Sequence, residues 1–132
     1  MQIRIRGIII IVAISLFSFS CSQPVSYKND IKPILVANCL ECHDGSGEGS
    51  STSGFSVKTY DSIMNGTKYG PVVVPGSSVS SSLYLMVAHK VDEKIQMPPH
   101  HKEALAAGKG KPLTERQIEY IGKWIDQGAK NN

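Results

Sequence analysis

Cys39-Leu40-Glu41-Cys42-His43 decides how the rest of this chain reads, because it sets two thiols three residues apart with an imidazole beside the second. This spacing lets both thiols add to the two vinyl groups of one haem while the next residue ligates its iron. Covalent attachment needs both sulfurs on one side of the porphyrin edge, and a helix ending at Cys39 followed by a tight turn presents them so. Two other readings compete. A structural zinc takes four ligands, usually from a second Cys or His pair, but no cysteine follows Cys42 and the adjacent Cys42 and His43 diverge. A redox dithiol wants a strand before the motif and a helix after it. Here a helical pattern precedes, and a Gly/Ser-rich stretch follows.

Upstream, residues 8–19 form an apolar run broken only by Ser15 and Ser18 and preceded by Arg4 and Arg6. It is too short for a membrane span, which needs roughly 20 apolar residues, and reads as an export signal over residues 1–20. Residues 21–26 then form a tether. Cys21 after small Ser20 resembles the lipid acceptor of a lipoprotein leader, although Phe19 and Ser18 depart from that pattern and ordinary cleavage is the competing reading. The chain is therefore expected outside the cytoplasmic membrane, in the periplasm or on the outer face of a membrane.

The 14 Lys and Arg against 11 Asp and Glu give a formal charge of +3, and removing Arg4 and Arg6 leaves +1. With no basic run and no aromatic-plus-Arg stripe, nucleic acid is not an expected partner. After the leader the chain has one Trp and one Phe, with many Gly and Pro, so its apolar core is thin for a domain this size. A porphyrin at the centre accounts for that.

Along the exported part, Asp30 is read as the cap of a helix running to about residue 38, with Pro33 in its first turn and Ile34 and Leu35 inward. Residues 44–56, rich in Gly and Ser, read as a mobile surface loop. A short helix is expected over 57–65, ending at Gly66, and a longer one over 80–91 with Leu83, Val87 and either Met86 or Lys90 inward. Val72-Val73-Val74 between Pro71 and Pro75 is an extended piece. Thr114 and Gln117 form a capping box for a last helix to about Gln127, with Ile118, Ile121, Ile125 and Ala129 as its apolar stripe.

An electron-carrying haem usually has a second axial ligand, and His/Met ligation raises its potential. Met64 and Met86 sit on expected helices as core filler. Met97 differs, because Pro98 and Pro99 stiffen its loop. His100 and His101 in a Lys-rich segment, and His89 on a helix, are the lesser candidates. Pro71 and its neighbouring valines are expected to wall an apolar haem face. Trp124 and Tyr120 are expected at the haem rim or against the first helix, and Tyr69 or Lys68 near a propionate.

Over residues 27–129 the chain resembles the small single-haem c-type cytochrome domains of planctomycete type. The matching pieces are Ile31-Lys32-Pro33-Ile34-Leu35, the Cys39-to-His43 motif, Tyr60-Asp61-Ser62-Ile63-Met64-Asn65-Gly66, Gly70-Pro71-Val72-Val73-Val74-Pro75-Gly76, Ser82-Leu83-Tyr84, Met97-Pro98-Pro99 and Trp124-Ile125-Asp126-Gln127-Gly128-Ala129. It departs from them in having Ser53-Gly54-Phe55 where Gly-Gly-Leu is common, and in a longer 44–56 stretch. The resemblance implies an all-α, class I cytochrome c-like domain over 27–130, its helices joined by long loops around one covalent haem. It implies attachment through Cys39 and Cys42, with His43 and Met97 as axial ligands. The expected function is one-electron transfer with redox partner proteins, no catalytic residue being implied. The alternative is a haem peroxidase or a gas or redox sensor whose sixth ligand is displaceable.

Overall fold

The computed structural model describes residues 23–99, 102, 106 and 110–132. The leader, Cys21, His100, His101 and most of the Lys-rich 102–111 segment lie outside them. Among the described residues the regular structure is helical and no strand forms, an all-α architecture as expected. No helix there is long and apolar enough to cross a membrane.

The chain enters through a π-helical turn, Tyr27–Ile31, that leads directly into α1, Lys32–Asn38. Ser26, not Asp30, is the cap: its hydroxyl accepts the Asn29 N–H, while the Asp30 carboxylate reaches back to the Ser26 N–H at 2.8 Å. Asp30 therefore completes a reciprocal pair rather than starting the helix. Pro33 sits in the first turn, where its missing N–H costs nothing.

Residues 44–56, expected as a loop, contain a helix instead, α2 over Glu48–Ser53. The Asp44 carboxylate accepts the Ser46 and Gly47 N–H groups at 2.7 and 2.6 Å, which orders the entry and holds that carboxyl below the usual carboxylate range. Thr52 and Ser53 then turn their hydroxyls onto the carbonyls four residues back. In this way hydroxyl side chains that usually compete with a helix are absorbed by it. Gly54, at φ +78°, closes it in the left-handed conformation.

Two further helices are shorter than expected. α3 spans Tyr60–Asn65, because Val57 is drawn off to bond the His43 carbonyl and the Thr59/Ser62 capping box starts the helix later. It stops at Gly66 as expected. α4 covers only Ser82–Val87, preceded by a 3-10 turn over Ser78–Ser80. The chain reverses at His89, φ +58°, and the Lys90 N–H returns to the Leu85 carbonyl, a closure of Schellman type. Lys90 is consequently exposed, while Leu83 and Val87 are buried and Met86 half-buried.

α5, Glu115–Asp126, begins at the Thr114/Gln117 capping box and buries Ile121, Trp124 and Ile125, with Ala129 buried just beyond it. These meet Ile31 and Leu35 from the first segments, Ile63 from α3 and Val87 from α4 in one core. The Trp124 ring lies 5.8 Å from Tyr27, which meets Tyr60 edge-on at 5.2 Å, and Tyr60 donates to the Ala129 carbonyl.

The two ends of the described chain are stitched along this seam. Asn132 Oδ1 accepts the Tyr27 N–H at 2.9 Å, its Nδ2 donates to the Val25 carbonyl, and its main-chain oxygen accepts from Ser26 Oγ and the Lys28 N–H. Tyr27 and Val25 are buried, so removing the amide strands polar groups away from water. Asn132→Ala is expected to lower unfolding stability by about 1–3 kcal/mol. Denaturant unfolding at constant m-value checks this, and an unchanged midpoint would show that the seam holds without the amide.

Candidate functional site

α1 ends because the Cys39 and Leu40 N–H groups both return to the Leu35 carbonyl. The Cys39 carbonyl then accepts from His43 N at 2.9 Å and from Cys42 N at 3.3 Å, forming one further turn. Residues three and four apart on such a turn share a side. Cys39, Cys42 and His43 are thus presented together, two half-buried free thiols with an imidazole beside them. Cys39 also packs against the hydrophobic core. Burial, with a smaller contribution from Cys42, pushes its thiol up to about 11. That is opposite to the depressed values that make a Cys-x-x-Cys pair a redox nucleophile.

His43 is held from two sides. Its Nδ1 lies 3.3 Å from the Phe55 carbonyl oxygen, and its ring meets the Phe55 ring edge-on at 5.4 Å. A carbonyl can only accept, so this contact puts the proton on Nδ1 and leaves the Nε2 lone pair available for a metal. The other side is α2. A Cβ at Gly49 would lie 2.5 Å from His43 Cε1, so only a residue without a side chain lets the helix approach the ring this closely. Gly47 plays the same part against the Cys42 carbonyl, and the Ser50 N–H bonds that carbonyl at 3.0 Å.

Met97 is half-buried against the same core as Cys39, with its N–H bonded to the Met86 carbonyl. The Met97–Pro98 peptide is cis and Pro98 is buried. Gly110 passes so close over this loop that a Cβ there would come within 2.6 Å of the Pro99 carbonyl oxygen. Met64 is half-buried on α3 against the core, and His89 is exposed beyond the end of α4.

The remaining candidates are more dispersed. Pro71 and Pro75 are exposed, and the buried apolar side chains of that piece are Val72 and Val73. Trp124 is buried with its N–H on the Lys130 carbonyl and its ring toward Tyr27, the contact with the first segment that was one of its two expectations. Tyr69 is 83% exposed with the Lys68 ammonium 5.1 Å over its ring.

The residues around His43 that sequence reasoning passed over are Gly49, Ser50 and Phe55. Phe55 carried a signal, being the single Phe after the leader in an otherwise polar stretch. The serine had none, standing among several alike.

A thiol pair sharing one turn with an imidazole whose Nδ1 is already committed suits covalent haem better than the alternatives. Among the described residues no three His, Cys, Asp or Glu side chains gather as a structural zinc would require. Residues 39–101 match the family model described as planctomycete cytochrome C. No curated protein and no solved structure matches the chain.

Proposed function

We propose, for a chain that carries a small c-type cytochrome-like domain, one-electron transfer through a single haem c attached at Cys39 and Cys42. The observation that supports this reading is the shared turn of Cys39, Cys42 and His43, which brings two thiols and an imidazole onto three- and four-residue spacing with Nδ1, not Nε2, at the Phe55 carbonyl. Haem, when bound, supplies a one-electron iron couple. His43 would hold the iron from the motif side, with Nδ1 tied to Phe55 so that the ring is already oriented. Met97 would supply the second ligand, its loop fixed by Pro98 and Pro99, and its thioether would favour the reduced state relative to a second histidine. Val72, Val73 and the core around Leu35 supply an apolar surround that lowers the local dielectric. The domain works on the outer side of the cytoplasmic membrane, tethered through lipid on Cys21, and exchanges electrons with partner proteins.

An alkaline pyridine haemochrome spectrum of protein made with haem-attachment machinery tests the reading. One covalent haem per chain is expected, and none would refute it. The ferrous protein is expected to bind carbon monoxide slowly, as a closed six-coordinate iron does. Rapid binding would instead favour the peroxidase or sensor alternative.

A further inference from the structure

The carbonyl that orients His43 has a second donor. Ser50 Oγ lies 2.7 Å from the Phe55 oxygen, much closer than the 3.3 Å of His43 Nδ1. Ser50 is buried, 5% exposed, and its hydroxyl oxygen accepts the Gly45 N–H at 2.9 Å. The hydroxyl thus accepts from Gly45 on one lone pair while it donates its proton to Phe55. The Ser50 N–H meanwhile holds the Cys42 carbonyl at 3.0 Å. A single buried serine therefore grips the main chain on both sides of the imidazole.

We propose that Ser50 is a positioning residue that sets the electron-donating strength of His43. The inference rests on the reading of His43 as an iron ligand. A strong hydrogen bond from the outer nitrogen of a ligating imidazole raises its basicity. With Ser50 taking the shorter bond, the shared carbonyl has less negative charge to offer Nδ1–H, and the imidazole stays closer to neutral. A less basic ligand stabilises the oxidised metal less, so Ser50 keeps the couple at higher potential than Phe55 alone would. Ser50 also limits how far that carbonyl can move.

The experiment compares holoprotein carrying Ser50, Ser50→Ala and Ser50→Thr. A pyridine haemochrome on each comes first, because absent haem in the parent protein counts against the haem reading and leaves Ser50 aside. With haem present, Ser50→Ala should shift the reduction potential downward and move the His43 Nδ1–H proton resonance of the ferrous protein downfield. Ser50→Thr, which keeps the hydroxyl, should restore both toward the parent values. Equal potentials and equal resonances in all three would overturn the proposal, as would an upward shift in Ser50→Ala. Should Ser50→Ala fail to accumulate, the ferrous parent protein decides alone. Its Ser50 hydroxyl proton should exchange slowly enough to observe, and a hydroxyl exchanging too fast to see would overturn the proposal.

Discussion

Met97→Ala is expected to abolish the ferric absorption band of a methionine sulfur on iron and to lower the reduction potential, while leaving the haem covalently attached. Three half-buried methionines compete for this role, and their backbones separate them. Met64 lies within α3 and Met86 within α4, where neighbouring turns direct the side chain along the helix. Met97 lies on a loop between the 3-10 turn Glu93–Ile95 and buried Pro98, its N–H already spent on the Met86 carbonyl. Its conformation is thus set by partners other than its own side chain, which leaves the thioether free to ligate. Truncating a half-buried methionine costs about 2 kcal/mol of packing or somewhat more, so the fold should survive and the spectrum should change. Met64→Leu is the control and should keep the band, because it conserves apolar volume on the same helix. A Met97→Ala protein with the parental spectrum would refute Met97 ligation. Loss of the band in Met64→Leu would move the ligand to α3.

Which parts of this molecule were legible beforehand follows from where the deciding interactions lie. The capping box at Thr114, the stripe of Ile118, Ile121 and Ile125, the halt at Gly66 and Pro33 in a first turn are all local, settled within one or two helical turns of sequence. The Cys39-to-His43 motif is local too, and its one-turn geometry follows from the same spacing. What escaped was settled by partners distant in sequence or by side chains working against their usual preference. Apart from Glu48, α2 is built from Gly, Ser and Thr, weaker helix formers by propensity, and forms because Asp44 and Gly54 close its ends and the Cys42 carbonyl anchors its Ser50. Asp30 resembled a cap, yet the cap was four residues earlier, and choosing Ser26 required knowing that Asn132 also binds there. The 80–91 pattern stayed apolar long enough to suggest a long helix, but periodicity says nothing about the left-handed turn at His89. The candidate site was half legible for the same reason: Cys39, Cys42 and His43 lie in one motif, whereas the carbonyl and the helix that hold His43 come from twelve residues and six residues further on.

That holding helix leads to the second large effect. Gly49→Ala and Gly49→Val are expected to dislodge the imidazole, replacing the low-spin spectrum of a His-ligated haem by a high-spin or mixed one. Helix propensity alone argues the other way: within α2 an alanine should exceed glycine by up to about 1 kcal/mol, and the conformation at Gly49 is ordinary helical, so no backbone strain opposes the change. Sterics decide it. The added Cβ would stand 2.5 Å from His43 Cε1, 2.8 Å from Nε2 and 2.9 Å from Nδ1, well inside van der Waals contact with the whole edge of the ring. α2 cannot back away freely, since Ser50 N–H is bonded to the Cys42 carbonyl and the Lys68 N–H to the Ser53 carbonyl. The ring is the softer party and must turn. Turning it breaks the Nδ1 contact with Phe55 and moves Nε2 from its present position. Since the proposed attachment through Cys39 and Cys42 forms no bond to His43, haem content per chain should fall less than the low-spin fraction, and the valine variant should be worse than the alanine one. Measured together, the pyridine haemochrome and the native absorption spectrum separate the two quantities. A Gly49→Ala protein that gains thermal stability and keeps the parental spectrum would show that α2 yields instead of His43, and that the close approach of helix to ligand is incidental.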